Sequence, residues 1–218
     1  MPFDVQDWGM IQYRDAWIKQ EELVKSIQSG TSNSTLIMCE HPTVITIGKE
    51  GGEQHLLISS EILQSSHIEV IPINRGGDIT LHNPGQMVVY PIFNLMDYKQ
   101  DLHWFLRAIE QVIIEVLKHY NITSDRIPGK TGVWIDQKRK ICAIGLHCSR
   151  WVTSHGLAFN ISNDIKQFDW IVPCGINNMN VTSLSQELGY IPDMNEVKQL
   201  CLKEFETIFE KKFGIIIL

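Results

Sequence analysis

The organisation of this chain is decided by residues 140–161, KICAIGLHCSRWVTSHGLAFNI, together with IVPCG at residues 171–175. The first stretch opens with Lys140 at the start of an apolar run, which predicts a strand. The second stretch places Cys174 between Pro173 and Gly175. Because proline fixes φ and glycine permits a sharp turn, this pattern predicts a turn that presents the cysteine at the rim of a cleft.

Lys140 and Cys174 can act together as a base and a nucleophile. A free thiol titrates near ~8.5 and a free lysine near ~10.4, so a partly desolvated lysine held against the thiol can take its proton. The product is a thiolate, which attacks thioesters and other acyl groups. Residues 140 and 174 are too distant in sequence for a local contact. Only tertiary structure could bring them together.

The other four cysteines are expected to serve packing rather than chemistry. Cys39, Cys142 and Cys201 lie in apolar runs or on the apolar side of a predicted helix, where cysteine behaves as a small hydrophobe. Cys148 ends a predicted strand, and its role is left open. Five cysteines, an odd number at uneven spacing, suit a reducing compartment better than a disulfide framework. A cytoplasmic location is therefore expected.

Four motifs carry a resemblance to a known family: RGGDITLHNPGQ at 75–86, KICAIG at 140–145, SHGLAFN at 154–160 and PCG at 173–175. In this order they resemble the motifs of the octanoyltransferases of lipoate biosynthesis, over roughly residues 35–190. The resemblance implies the catalytic fold of biotin and lipoate protein ligases. It also implies transfer of an octanoyl group from acyl carrier protein to a lysine of a lipoyl domain, without a cofactor. The acceptors would be lipoyl domains of 2-oxoacid dehydrogenase complexes or the glycine cleavage H protein.

The same resemblance assigns the site residues. It implies a thioester on Cys174, with Lys140 lowering the pKa of that cysteine. The residues expected to bind substrate are Arg75, Gly76, Gly77, Asp78, Ile79, Thr80, Leu81, His82, Ala143, Ile144, Gly145, Gly156, Leu157 and Ala158. His155 is a further candidate, and both His82 and His155 could instead make structural hydrogen bonds.

Two positions depart from the family pattern in the glycine-rich motif. Asn83 stands where glycine is usual, and Leu81 stands where an aromatic residue is usual before the histidine. Asparagine tolerates positive φ better than other non-glycine residues, so the turn can survive. Leu81 is expected to reshape the acyl tunnel, which leaves the preferred chain length open.

Two other classes of function are weighed against the transferase: an ATP-dependent lipoate or biotin protein ligase, and a non-catalytic binder of acyl groups or carrier proteins. The glycine-rich segment contains neither the G-x-x-x-x-G-K-[ST] phosphate loop nor the G-x-G-x-x-G fingerprint, which disfavours the ligase. The presence of both Lys140 and Cys174 argues against a non-catalytic binder. Cys39 and His41 are not followed by a second pair at zinc-like spacing, so no metal site is predicted.

Composition limits the partners. The 218 residues carry a formal net charge of −6, with 44% hydrophobic and 20% charged residues, which is typical of a soluble globular protein. An acidic chain argues against nucleic acid as the main partner. Apolar runs stay well short of the ~20 residues that span a bilayer, and the N-terminus lacks a secretory signal pattern, so no membrane partner is expected. Residues 1–218 are interpreted as a single catalytic domain.

The periodicity predicts three substantial helices among short strands. Helices are expected over 13–29 with Gly30 as the C-cap, after Asp101 as an N-cap, and from a capping box at Asp193 to Phe213. Strands are expected at 35–39, 44–47, 68–73, 87–95, 133–135 and 141–146, and a loop at 121–130. Residues 136–139 form the basic tip of a hairpin. The fold class is α/β (α+β), a mixed sheet flanked by helices.

Overall fold

The computed structural model describes residues 3–172 and 180–210. Its helices are α1 (Tyr13–Gln28), α2 (Ser60–Ser65), α3 (Leu102–His119), α4 (Leu184–Leu188) and α5 (Met194–Glu210). Its strands are β1 (Asp4–Met10), β2 (Thr35–Glu40), β3 (Val44–Ile47), β4 (Glu69–Pro72), β5 (Ile79–His82), β6 (Gln86–Ile92), β7 (Asp125–Ile127), β8 (Lys130–Ile135), β9 (Arg139–Ser149), β10 (Val152–Asn160) and β11 (Asn180–Val181). Three 3-10 helices cover Glu53–His55, Leu95–Asp97 and Ile165–Trp170.

The larger sheet has the strand order β1-β2-β6-β10-β9-β8-β7, with β11 also paired to β9. The β1–β2 and β11–β9 pairs are parallel and the others are antiparallel, so the predicted mixed sheet is confirmed. Helices α3 and α5 share the main hydrophobic core with one side of this sheet. Helix α1 packs with residues of β2, β6 and β10 in a second cluster.

A smaller sheet, β4-β3-β5, holds the glycine-rich motif. Strand β3 pairs in parallel with β4 and antiparallel with β5. The apolar side chains of this sheet form their own core with the 3-10 helix Ile165–Trp170. The loop between β4 and β5 therefore has a rigid support on both sides.

The predicted helix ends are confirmed where they fall within the described residues. The carboxylate of Asp101 accepts the backbone N–H of Trp104 at 3.0 Å, and Asp193 accepts that of Glu196 at 3.1 Å. Gly30 follows α1 with φ of +76°, the left-handed conformation that glycine adopts at low cost. The predicted end at Phe213 lies outside the described residues. No described helix is both long and apolar enough to cross a bilayer.

Five strands were not among those predicted: β1, β5, β7, β10 and β11. Strand β1 was not predicted, because its sequence DVQDWGM has no apolar alternation and its side chains are mostly exposed. Strand β7 lies inside the predicted loop 121–130 as a short edge strand. Strand β10 runs unbroken through Ser154–Gly156; His155 adopts a φ of +57° there, and the pairing with β9 is maintained.

Candidate active site

A cleft of about 770 Å³ lies among residues of both sheets. It brings together nearly all the predicted site residues that the structure describes: Arg75, Gly76, Gly77, Asp78, Ile79, Thr80, His82, Lys140, Ala143, Ile144, Gly145, His155, Gly156, Leu157 and Ala158. These come from the β4–β5 loop, β5, β9 and β10. The predicted nucleophile Cys174 lies outside the described residues.

Lys140 is held at the cleft by strand pairing on both sides. It is the second residue of β9, where it pairs with Trp134 of β8 and with Val181 of β11. Only 9% of the residue is exposed, and Nζ lies 4.7 Å from the centre of the Trp134 ring, within cation–π range. Its carbonyl accepts the N–H of Thr182 at 3.0 Å. The lysine therefore projects from a rigid part of the sheet.

The described residues on either side of the segment 173–179 contact this same cleft. The N–H of Val172 donates to the carbonyl of His55 at 2.8 Å, and His55 lines the cleft. Val181, which also lines the cleft, pairs with Lys140. Val172 is thus hydrogen-bonded to a cleft residue, and Val181 lines the cleft itself.

Arg75 organises the glycine-rich loop. Its guanidinium is buried, with Nη2 donating to the carbonyl of Thr46 at 2.9 Å and to its hydroxyl at 3.0 Å, and with Nη1 donating to the carbonyl of Gly76. The N–H of Gly76 donates to the carbonyl of Leu146 at 2.9 Å, which joins the loop to β9. A Cβ on Gly145 would lie 2.9 Å from both Arg75 Cδ and Gly76 O, so glycine permits this close approach.

Asp78 and His55 lie in close contact at the cleft. Oδ2 of Asp78 lies 2.6 Å from Nδ1 of His55, while Oδ1 accepts the N–H of Ile79 at 2.7 Å. Asp78 is buried and His55 is about a quarter exposed. His55 was not among the predicted site residues.

His82 and His155 line the cleft as buried, neutral imidazoles. Burial, together with smaller contributions from the neighbouring His41 and Arg75, lowers the pKa of His82 to about 3. Burial, followed by the charge of Arg75, likewise lowers the pKa of His155 to about 3. Nε2 of His155 lies 2.7 Å from Asn74 Oδ1, and its backbone N–H donates to Gln20. Both rings are therefore in the uncharged form at neutral pH.

His41, predicted as a turn residue near the cleft, follows β2 and is fully buried. Its Nδ1 lies 2.7 Å from the carbonyl of Ile11 and its Nε2 lies 2.7 Å from the Tyr90 hydroxyl. Burial lowers its pKa to about 4. Its ring meets that of His82 edge-on, with centres 5.7 Å apart, so it supports the cleft from behind.

The two departures from the family pattern have different structural outcomes. Leu81 is fully buried in the core of the small sheet, and it is not among the residues that line the cleft, whereas its neighbours Thr80 and His82 are. The expectation that Leu81 borders an acyl tunnel is corrected on this point. Asn83 has no positive φ, which in this turn belongs to Gly85 at +86°. Its amide instead donates to the carbonyl of Asp164 and to Gln167, each at 2.9 Å.

The three cysteines predicted to pack in the core, Cys39, Cys142 and Cys201, are buried as predicted. Burial raises the pKa of each of these thiols. Cys148 is half-buried against the main core, and its pKa is raised for the same reason. A raised pKa keeps a thiol protonated and unreactive.

Comparison with known proteins identifies the family. Residues 12–206 match the model of the lipoyl protein ligase A/B catalytic domain. An octanoyltransferase of Cytophaga hutchinsonii is 45% identical over 94% of this chain and 92% of its own length. One from Solibacter usitatus is 46% identical over 93% and 90%. The chain belongs to the octanoyltransferases. Members of this family are acyltransferases, and this chain is therefore an enzyme of that class.

Solved structures of other octanoyltransferase-like folds agree with the architecture. A lipoate-protein ligase A bound with ATP superposes with a TM-score of 0.80 at 13% identity, covering 96% of this chain and 86% of the other. Biotin protein ligase from Aquifex aeolicus in complex with biotin and ATP gives 0.59 at 14% identity, covering 95% and 71%. At these identities the likeness shows the fold, and the predicted ligase-type catalytic fold is confirmed.

Sequence reasoning missed several residues of the cleft. Tyr13, His55, Gln86 and Asn160 line it without having been assigned a role. Gln86 and Asn160 are the last residues of two quoted motifs, and each adjoins an apolar run. A lone amide beside such a run predicts a buried group that needs hydrogen-bond partners, so this pattern could have identified Gln86 and Asn160 from the sequence.

Proposed function

We propose that this octanoyltransferase moves an octanoyl group from octanoyl-acyl carrier protein to a specific lysine of a lipoyl domain, through a thioester on Cys174. The observation that carries the proposal is Lys140, a buried lysine fixed by two neighbouring strands inside a cleft. The contacts of Val172 with His55 and of Val181 with Lys140 give support, since they bracket the segment that contains Cys174.

The proposed chemistry has two steps. The Cys174 thiol gives its proton to Lys140, and the thiolate attacks the thioester carbonyl carbon; a bond from carbon to the Cys174 sulfur forms, and the carrier's thiolate leaves and takes the proton from Lys140. In the second step the acceptor lysine amine attacks the new thioester. Its nitrogen bonds to the carbonyl carbon and loses a proton to the enzyme, and the Cys174 thiolate leaves.

The lining of the cleft suits an acyl substrate. Apolar side chains from four strands provide a surface for a hydrocarbon chain: Ile79, Val88, Ile144, Leu157 and Ala158. The volume of about 770 Å³ falls in the range of about 300–1,000 Å³ usual for small-molecule sites.

The ATP-dependent ligase is the weaker candidate. The ligases of known structure share the fold at 13–14% identity, whereas the relatives at 45–46% identity are octanoyltransferases. The thioester of the donor already supplies the energy that a ligase takes from ATP.

We further propose that residues 1–218 act as one catalytic domain in the cytoplasm. The family match over residues 12–206 supports the single domain. The four described cysteines are free thiols, which suits a reducing compartment. The proposed acceptors are lipoyl domains of 2-oxoacid dehydrogenase complexes or the glycine cleavage H protein.

Mass spectrometry of the intact enzyme tests the proposal. The enzyme is mixed with octanoyl-acyl carrier protein, without acceptor and without ATP, and we expect a single octanoyl adduct that maps to Cys174. Addition of a lipoyl domain should move the adduct to the domain. An adduct elsewhere would refute the role of Cys174, and acyl transfer that appears only with ATP and free fatty acid would assign the enzyme to the ligases.

A further inference from the structure

A chain of buried amides links His82 to the strand beside Lys140. Oε1 of Gln86 lies 2.8 Å from Nδ1 of His82, and Nε2 of Gln86 donates to Asn160 Oδ1 at 2.9 Å. Nδ2 of Asn160 donates to the carbonyl of Thr182 at 3.0 Å, and the N–H of Thr182 donates to the carbonyl of Lys140. The four residues whose side chains or backbone form this link are all buried: His82, Gln86, Asn160 and Thr182.

Backbone carbonyls at two points fix the direction of every hydrogen bond in this chain. The carbonyl of Thr182 can only accept, so the group of Asn160 that faces it must be the NH₂ group. The oxygen of Asn160 then faces Gln86 and requires a donor there. The carbonyl of Leu81, 3.3 Å from Gln86 Nε2, imposes the same orientation on Gln86 independently.

The amide chain therefore determines the tautomer of His82. The oxygen of Gln86 faces Nδ1, so Nδ1 must carry the hydrogen and donate it. Nε2 is left as an acceptor, and it makes no hydrogen bond to any residue in 3–172 or 180–210. The ring is held in place by stacking on Tyr13 and by the edge contact with His41. Because the side chain lines the cleft, Nε2 is the ring nitrogen that a ligand there can approach.

We infer that His82 binds the incoming lysine amine of the acceptor protein through Nε2, with Gln86 and Asn160 as positioning residues. This rests on the proposed function. At the reacting centre of the donor thioester, the carbonyl oxygen can only accept hydrogen bonds and the sulfur has no hydrogen. Nε2 of His82, which can only accept a hydrogen bond, therefore finds no donor at the reacting centre of the thioester. The acceptor amine is the reacting group that brings N–H bonds, so His82 acts in the second half of the reaction.

The low basicity of the ring supports a binding role rather than proton removal. A histidine whose pKa is lowered to about 3 by burial accepts a hydrogen bond at neutral pH without becoming charged. Such a bond would orient the nitrogen lone pair of the amine towards the thioester, and this orientation would speed the second half of the reaction.

The inference is tested by separating the two half-reactions in the His82→Phe enzyme. Acylation by octanoyl-acyl carrier protein is followed by intact mass. The acyl-enzyme is then mixed with either a lipoyl domain, which offers an amine, or free carrier protein, which offers a thiolate. We expect transfer to the amine to slow about tenfold, the worth of one hydrogen bond, while acylation and return to the thiolate stay within about twofold. His67→Asn, an exposed histidine outside the cleft, is the control.

Equal slowing of amine and thiolate transfer, or no slowing of either, would overturn the assignment. Absence of any adduct on the wild-type enzyme would instead refute the proposed function, and the role of His82 with it. Nitrogen-15 NMR of the wild-type enzyme gives a reading that does not depend on a variant folding. It should show the Nδ1–H tautomer of His82, and Gln86→Met should remove that preference; an Nε2–H tautomer in the wild type would contradict the inference.

Discussion

Acidification from pH 7 to pH 5.5 is expected to lower the free energy of unfolding by about 4 kcal/mol, through three buried histidines. His41, His82 and His155 are each buried, and their pKa values are lowered to about 4, about 3 and about 3. The ordinary histidine pKa is about 6.5. Between these values the unfolded chain binds protons that the folded protein excludes.

The sign follows from this difference in bound protons. A histidine with a lowered folded-state pKa stabilises the fold above pH 6.5, and the stabilisation is lost as the pH falls towards the folded-state pKa. Each of the three contributes about 1.3 kcal/mol between pH 7 and pH 5.5, since one pKa unit corresponds to about 1.4 kcal/mol and protonation of the unfolded chain is gradual. Burial also lowers the pKa of His147, which adds in the same direction.

Urea denaturation followed by tryptophan fluorescence at pH 7.0, 6.5, 6.0 and 5.5 measures this loss. Carboxylates, with ordinary pKa values near 4, contribute little in this range. The His155→Gln enzyme should show a pH-dependent loss smaller by about a third. A total loss below about 1 kcal/mol in the wild type would refute the claim that the cleft holds its histidines neutral.

Three further predictions concern the site and its support. Cys174→Ala should abolish octanoyl transfer from carrier protein while leaving the free energy of unfolding, measured in urea, within about 0.5 kcal/mol of wild type. Normal turnover would exclude the thioester mechanism. Lys140→Ala should slow alkylation of Cys174 by iodoacetamide at neutral pH, and Lys140→Arg should restore transfer poorly because arginine cannot act as a neutral base; superimposable alkylation curves would remove Lys140 from the mechanism. Gly156→Ala should destabilise the protein by about 3 kcal/mol or prevent folding, because the new Cβ would overlap the carbonyl of Val89 in the adjacent strand, and unchanged thermal unfolding would contradict that geometry.

The helices were predictable because their signals are local. The cap at Asp101 and the apolar stripe of α3 lie within one segment, and both appear in the structure. Strand β1 was not predictable in the same way, since its exposed side chains carry no pattern and it is held by parallel pairing with β2. The backbone conformation of His155 was also not predictable. This residue adopts a positive φ inside a continuous strand, and no local sequence pattern predicts that conformation.

Some cleft residues were likewise predictable from local sequence, and others were not. Its glycines and Lys140 could be selected from motifs, because each motif is a short run of sequence. The amide chain could not be, because Gln86 and Asn160 are 74 residues apart and meet only where β6 pairs with β10. Placement of Leu81 failed for a related reason. Motif membership does not reveal which face of β5 a side chain occupies, and that face depends on the strand register against β3.

The geometry narrows the choice of proton carrier in the proposed reaction. His82 and His155 are neutral rings whose low pKa values prevent them from taking a proton at neutral pH. Arg75 remains charged, and its guanidinium is engaged with Thr46 and Gly76. Lys140 can accept a proton as a neutral amine and return it as an ammonium during the cycle. If Lys140→Ala retained full activity, His55, oriented by Asp78, would be the base to examine next, ahead of either buried histidine.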